Sequence, residues 1–375
     1  MRLLFYRYFD YLILSIVIAF SFYFLTEEVP FYFEDLAFLP LNTPYGEIIF
    51  KIIAPVYNLN SPLGAFDRPV ENLIFKLIYD CFGWDSTPYR FVKNTFWLLY
   101  CLCLYQFLTA SFHQRGIKVL AFFSVILVSL LAPIFQSVLW ICDFEIIGSF
   151  FMFLCFYVFL ENYFRGRYSQ TVIVVLAIIA LSTKVTVKII PVVLLLYILV
   201  NNRKRLKEYA LLLLIIFIYA TFPLFSASSG VEKLLHEENY LLFSENLFYS
   251  CGYWLITGFL LVLYILRNRT VHKEQRETLL FLLIWSFCSV LFWGVFVSSE
   301  TRYLTSSLIP LMITITYVFQ LVFCSLHGNK RKAFVSFIFL LWLFTLFKNV
   351  TFTIQYRGIW GTNAIAAHKV INFLE

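Results

Sequence analysis

The sequence predicts an all-α protein that crosses a membrane many times, and three observations lead to that prediction. Of the 375 residues, 61% are hydrophobic and only 14% are charged, whereas about a quarter of an ordinary soluble domain is charged. Mean hydropathy is +0.81 over the whole chain. Uncharged runs near the about 20 residues that cross a bilayer as a helix recur along the sequence. We therefore expect one membrane domain over residues 1–375.

The first apolar segment precedes the sequence TEEVP and could be mistaken for a cleaved signal peptide. It has no small-x-small cleavage site, so we expect it to remain as the first of about eleven transmembrane helices. In order, the predicted spans are 9–26, 94–112, 119–139, 144–160, 168–183, 186–202, 209–228, 247–266, 278–298, 304–326 and 333–349.

Basic residues predict the orientation of these spans. With the N-terminus inside, the short inner segments carry 17 of the 29 Lys and Arg residues, as the positive-inside rule requires. The N-terminus is then cytoplasmic and the C-terminus, after eleven spans, lies outside. These loops account for the net charge of +7, so no nucleic-acid partner is needed. The basic inner segments are 2–7, 115–118, 165–167, 203–207, 267–276 and 330–332.

The predicted outer loops are unequal in length. The first, residues 27–93, is the longest and contains an amphipathic stretch at 68–84, which is typical of a helix lying on a membrane surface. A second outer loop, residues 229–246, is acidic. The apolar residues with helical spacing in the amphipathic stretch are Val70, Leu73, Ile74, Leu77 and Ile78.

Two adjacent carboxylates, Glu34 and Asp35, lie among aromatic residues just after the first span. A partly desolvated carboxylate there is more basic and can accept a proton from a hydroxyl. The pair could also hold a divalent cation. A solvated loop is the alternative interpretation.

Four cations stand near the predicted outer surface. Arg68 is the first residue of the amphipathic stretch, Lys184 and Lys188 are four residues apart between two short spans, and Arg302 is followed by Tyr303. Charge near a bilayer costs free energy, which an anion such as a lipid phosphate would offset. Snorkelling side chains or, for Arg302, an intramolecular ion pair are the alternatives.

In their common order, these stretches resemble motifs of the GT-C superfamily of polyprenyl-phosphate-sugar-dependent glycosyltransferases. The chain is most similar to the protein O-mannosyltransferase-like branch, over roughly residues 1–325, without a tetratricopeptide tail. Val185 stands where the family has Glu after Lys. The matching stretches are FEDLAFLPLNTP, Arg68-Pro69, Asn72-Leu73, Phe82-Gly83, Tyr89, QSVLWICDFEIIGSFF, STKVTVKIIP and TRYLTSSLIP.

The resemblance implies a GT-C-like bundle with amphipathic helices in its first outer loop. It also implies an inverting hexosyltransferase that moves a sugar from a polyprenyl-phosphate donor to a hydroxyl of a protein, lipid or glycan, on the outer face. Asp35 would be the general base and Glu34 its partner or a metal or acceptor contact, with a divalent metal left open. The lipid phosphate would be bound by Arg68, Lys184, Lys188 and Arg302, and the sugar or acceptor by Asp143, Glu145 and Tyr303.

Two other functions stay open from the sequence. One is a transporter or flippase for lipid-linked sugars, although only 13 glycines and no internal repeat are present. The other is a non-catalytic subunit of a glycan assembly complex, which the Val185 departure keeps open. The short length and the heavy use of Phe and Ile favour a prokaryotic plasma membrane.

Overall fold

A computed structural model describes the backbone of residues 9–20, 44–53, 68–110, 112, 115–129, 131, 134, 137, 145–221, 237–267, 271–296 and 305–348. Helices make up nearly all of these residues. In chain order they are α1 (Phe9–Phe20), α2 (Tyr45–Ile53), α3 (Pro69–Phe82), α4 (Ser86–Ala110), α5 (Arg115–Ser129), α6 (Glu145–Arg165), α7 (Gln170–Leu181), a 3₁₀ segment (Val185–Ile189), α8 (Ile190–Asn202), a 3₁₀ turn (Arg203–Arg205), α9 (Leu206–Thr221), α10 (Glu237–Arg267), α11 (Lys273–Phe296), α12 (Thr305–Ser325) and α13 (328–348).

Each predicted span contains one of these helices, and the apolar helices indicate a membrane protein. Three helical stretches are long and apolar enough to cross a membrane, namely Glu145–Arg165, Thr186–Thr221 and Thr305–Ser325. The second of these holds α8 and α9, which pack together on either side of the Arg203–Arg205 turn. The other apolar helices are shorter, so the number of eleven crossings remains a prediction.

Two predicted boundaries move in the structure. Residues 237–246, expected in the acidic loop, form the first turns of α10, because no proline or glycine interrupts residues 237–251. The predicted span 94–112 begins earlier, since α4 starts at Ser86. The N-terminal end of α4 therefore extends beyond the predicted apolar run.

The helix α12 lies at the centre of the bundle. Its side chains are buried on every side from Thr305 to Phe323, and α5, α6, α10 and α11 all pack against it. A helix that is apolar all round belongs in a core. The ring of Tyr317 in this helix lies 5.3 Å from that of Phe112 and 6.3 Å from that of Phe107, which ties α12 to α4 as well.

One end of the bundle gathers segments that the sequence assigns to the inner side. Arg165 at the end of α6 contacts Glu161 and, at the start of α11, Glu274, each at 2.7 Å. Arg205 donates from Nη1 to the Tyr163 carbonyl at 2.6 Å, and its guanidinium carbon lies 4.1 Å from the Tyr163 ring centroid. Three predicted inner loops thus meet at one end, called the basic end below. The side of the membrane that it faces remains a prediction.

The amphipathic stretch forms α3, and this helix also packs against the bundle. The stripe of buried residues is Glu71, Phe75 and Ile78, whereas Leu77 is 49% exposed. Phe75 and Ile78 pack with Tyr89 of α4 and with α6. The helix α3 is therefore fixed to the bundle through a mixed polar and apolar stripe, and part of its apolar surface faces outward.

The helix α2 is held against α3 by a polar contact. The Tyr45 hydroxyl donates to Asp80 Oδ2 at 2.5 Å, and Lys76 Nζ lies 3.4 Å from the same oxygen. The hydrogen bond to Asp80 is the largest cause that raises the pKa of Tyr45 to about 12. The same bond holds the pKa of Asp80 below its ordinary value. Gly83, with φ of +60°, then ends α3 in a conformation that glycine adopts without strain.

Candidate functional site

The two predicted lysines lie on an irregular turn between α7 and α8. The backbone of Lys184 is extended, and the 3₁₀ segment follows before α8 begins. Pro191 has no N–H and cannot donate to the Val187 carbonyl, so the regular helix cannot continue back through this point. The Val187 carbonyl accepts instead from the Ile190 N–H. Pro191 thus interrupts the regular helix at the segment that contains both lysines. We call this segment, residues 182–189, the lysine turn.

The lysine turn packs tightly against the start of α6. A Cβ added to Gly148 would lie 3.2 Å from Lys184 Cβ and 3.5 Å from Val187 Cγ1, so a glycine allows this close approach. Lys184 Nζ lies 3.9 Å from Glu145 Oε2, and the two side chains are only 6% and 1% exposed. The predicted phosphate-binding Lys184 and the predicted sugar or acceptor contact Glu145 are therefore an ion pair.

The lysine turn also contacts the first outer loop. The Val70 N–H of α3 donates to the Ser182 carbonyl at 3.1 Å. Arg68, just before α3, places Nη1 3.4 Å from Glu71 Oε2, and Glu71 is buried. A peptide hydrogen bond outside regular secondary structure thus joins two of the sequence motifs. Arg68 is brought to the same end of the bundle as Lys184.

Lys188 differs from the other predicted cations. It is 6% exposed, and within the described part of the chain its Nζ atom has no hydrogen-bond partner and no ion pair. An unpaired buried charge is costly, both in a protein interior and in a bilayer. Lys188 is therefore the residue here with the greatest unmet need for an anion.

Lys93 belongs to the same region, and the sequence analysis did not single it out. It is fully buried in α4, and its Nζ donates to the Ser137 carbonyl at 2.6 Å. The Ser137 hydroxyl is 3.0 Å from the Thr305 hydroxyl, at the first residue of α12. This chain of contacts leads to the residue that follows the TRYL sequence. The sequence feature that could have indicated Lys93 is a lysine about two turns inside a helix. It was missed because the predicted span began at residue 94, one residue after Lys93.

These groups form a polar layer near the end of the bundle opposite the basic end. Gly148 is 17 residues from Arg165, which corresponds to about 25 Å along α6. Over the described residues, the layer holds four cations and two carboxylates, an excess of positive charge. Its ionisable members are Arg68, Lys93, Lys184, Lys188, Glu71 and Glu145.

The remaining predicted site residues lie outside the described residues. These are Glu34, Asp35, Asp143, Arg302 and Tyr303. The proposed catalytic pair and the possible metal ligands Glu34 and Asp35 thus remain predictions. Within the described ranges, no three His, Cys, Asp or Glu side chains are grouped so that they could hold a metal ion.

Comparisons with models of known protein families, with curated proteins and with solved structures found no match to this chain. The resemblance to GT-C glycosyltransferases therefore rests on the quoted motifs alone. The structure adds the proximity of three of those motifs, in α3, at the start of α6 and in the lysine turn.

Proposed function

We propose that the protein is a membrane glycosyltransferase that moves a sugar from a polyprenyl-phosphate carrier to a hydroxyl acceptor at the polar-layer end of the bundle. The observation that carries this proposal is the Lys188 ammonium, buried and without a partner among the described residues. The layer around it holds more cations than carboxylates. An anion that enters from the membrane satisfies this charge, and a lipid phosphate is such an anion.

Ion pairs in the polar layer give its cations different roles in binding a phosphate. Glu71 neutralises Arg68, and Glu145 neutralises Lys184, at 3.4 and 3.9 Å. Both pairs are built into the protein before any ligand arrives. The Arg68–Glu71 pair lies within the start of α3, and the Lys184–Glu145 pair joins the lysine turn to α6. Lys188 is then the principal phosphate ligand, and Arg68 and Lys184 act as supporting charges around it.

The chemistry follows from the leaving group. The acceptor oxygen attacks the anomeric carbon, the bond from that carbon to the phosphate oxygen breaks, and the phosphate departs with the electron pair. A phosphate is a good leaving group, so it needs positive charge more than it needs a general acid. The acceptor hydroxyl loses its proton to a carboxylate, for which the sequence offers Asp35 assisted by Glu34. A divalent metal held by these two residues remains open.

The depth of the polar layer favours an enzyme over the transporter alternative. Transporters hold their substrates near the middle of the bilayer. The lysine turn is about 25 Å from the basic end along α6, in a hydrocarbon core about 30 Å thick. A site near one membrane surface suits a reaction between a lipid headgroup and an acceptor from outside, as in the envelope of a prokaryotic plasma membrane.

The experiment is glycan mass spectrometry on a strain without the gene and on complemented strains at matched membrane levels. Wild type restores a sugar that the deletion lacks, and its mass names the sugar class. Lys188→Gln and Asp35→Asn each restore little or none of it, because one loses the phosphate contact and the other the base. Lys204→Gln, an exposed lysine of the basic end, restores it fully.

Two results would count against the proposal. If Asp35→Asn and Lys188→Gln each restore the missing sugar fully, the result would favour the subunit alternative, in which the layer has no chemical role. An unglycosylated acceptor with accumulated lipid-linked sugar on the inner leaflet would favour a transporter.

A further inference from the structure

Four buried serine and threonine hydroxyls among the described residues have unmet hydrogen-bonding capacity. Among the described residues, the buried Ser and Thr hydroxyls without a hydrogen-bond partner are those of Ser149, Thr186, Ser289 and Ser306. Each of these side chains is at most 2% exposed. A buried hydroxyl without a partner costs free energy, so four in one protein require an explanation.

Other helical hydroxyls in this protein bond to a carbonyl of the preceding turn. Ser129 donates to the Ile126 carbonyl at 2.7 Å, and Thr314 donates to the Pro310 carbonyl at 2.8 Å. Back-bonding of this kind is the common solution for Ser and Thr in apolar helices. The four partnerless hydroxyls do not use it, although three of them are also in helices.

Two of the four hydroxyls lie at the same depth in the bundle. Ser149 is 16 residues from Arg165 in α6, and Ser289 is 16 residues from Lys273 in α11, or about 24 Å along each helix. The starting points are level with one another, because Arg165 contacts Glu274 at 2.7 Å. Both hydroxyls are therefore in the polar layer.

The other two hydroxyls join the same layer through neighbouring contacts. Thr186 precedes Val187, which lies 3.5 Å from the Cβ position of Gly148, one residue before Ser149. Ser306 precedes Ser307, whose hydroxyl donates to the Ser289 carbonyl at 3.1 Å. All four partnerless hydroxyls are thus at the end of the bundle where Lys188 is buried.

The elements that carry these hydroxyls pack around the Lys188 segment. The 3₁₀ segment Val185–Ile189 contacts both α6 and α11, and α11 contacts α12. A hydroxyl both donates and accepts hydrogen bonds and carries no charge. A ligand that satisfies four such groups beside a cation has several hydroxyls of its own and an attached anion. A sugar bonded to a phosphate has that composition.

We infer that Ser149, Thr186, Ser289 and Ser306 form a sugar subsite that binds the hydroxyls of an uncharged hexose while Lys188 binds the phosphate to which it is attached. This inference rests on the proposed function and identifies the part of the polar layer that binds the sugar. Water satisfies buried hydroxyls in ligand-free proteins, and the sugar replaces that water. The sugar subsite adds Ser289 of α11, which lies outside every sequence motif quoted above.

The test measures binding of three short lipids to the full chain in nanodiscs. The probes are citronellyl phosphate and its mannosyl and glucosyl esters. We expect wild type to bind one of the hexosyl lipids at least tenfold more tightly than citronellyl phosphate. The double variant Ser289→Ala with Ser306→Ala loses most of that preference, keeps its affinity for citronellyl phosphate, and unfolds without ligand at an unchanged or higher temperature.

Ser307→Ala is the matched control, because its hydroxyl is paired within the protein. It lowers the unfolding temperature and leaves the preference for the hexosyl lipid unchanged. A double variant that keeps the full preference would overturn the sugar subsite while the phosphate site stands. If none of the three lipids binds wild type, or if Lys188→Gln binds all of them as well as wild type does, the proposed function fails and this inference fails with it.

Discussion

Glu145→Gln removes the negative partner of a buried ion pair and leaves Lys184 in place. The Lys184 Nζ and Glu145 Oε2 atoms are 3.9 Å apart, and both side chains are buried. At this distance the attraction is about 4 kcal/mol for an effective dielectric constant of 20. Removing one partner of such a pair typically costs about 3–5 kcal/mol, because the other charge stays buried. With the pair at the long end of contact distance, we expect a loss of about 3 kcal/mol in the free energy of unfolding.

The assay is a double-variant cycle on unfolding in mixed micelles of increasing SDS fraction. Glu145→Gln and Lys184→Met are each measured alone and then together. The double variant should recover most of the loss, since no unpaired charge remains. The pair of Lys51 and Glu47, 3.3 Å apart with side chains 17% and 53% exposed, is the control. Because the Glu47 side chain is exposed, Glu47→Gln should cost no more than about 0.5 kcal/mol. A coupling below about 0.5 kcal/mol for the buried pair would refute the reasoning that it holds the lysine turn on α6.

Two further predictions concern regions outside the polar layer. Arg205→Lys should lower the free energy of unfolding by about 2 kcal/mol, because lysine cannot keep both the hydrogen bond to Tyr163 and the ring contact; unchanged SDS unfolding would contradict this. The contact between Tyr45 of α2 and Asp80 of α3 lowers the pKa of Asp80. This contact therefore stabilises the structure fully above the ordinary carboxylate pKa, and the stabilisation is lost as pH falls through the lowered pKa. The raised Tyr45 pKa keeps the contact until pH rises towards about 12. Amide exchange over residues 45–53, corrected for intrinsic rates, should therefore be faster at pH 3 than at pH 6 in wild type and independent of pH in Tyr45→Phe.

The helices were largely predictable because their physics is local. An uncharged apolar run forms a helix wherever it occurs in a membrane, and basic residues mark the ends. The face that each helix buries was less predictable. In α3, Leu77 and Ile78 both belong to the predicted apolar face, yet Ile78 is buried against the bundle and Leu77 is exposed. Lipid and protein core are both apolar, so hydrophobicity alone does not distinguish them.

The site was predictable only where charge interrupts an apolar run. Lys184 and Lys188 stand out for that reason, whereas Lys93 was hidden at the boundary of a predicted span. The pairing of Lys184 with Glu145 depends on a contact between distant parts of the chain, which no local pattern encodes. Ser289 and Ser306 lie in apolar helices that carry other hydroxyls as well, such as Ser286 and Ser307. Their lack of partners becomes visible only when the helices are assembled.

The central claim is that the polar layer binds a phosphate through Lys188, and native mass spectrometry of the protein with added citronellyl phosphate tests it most directly. One charge-assisted hydrogen bond contributes about 1.5–3 kcal/mol, so Lys188→Gln should bind at least tenfold more weakly than wild type. Lys204→Gln, altered at an exposed lysine of the basic end, should bind as wild type does. Equal binding by wild type and Lys188→Gln, with both folded, would contradict the claim.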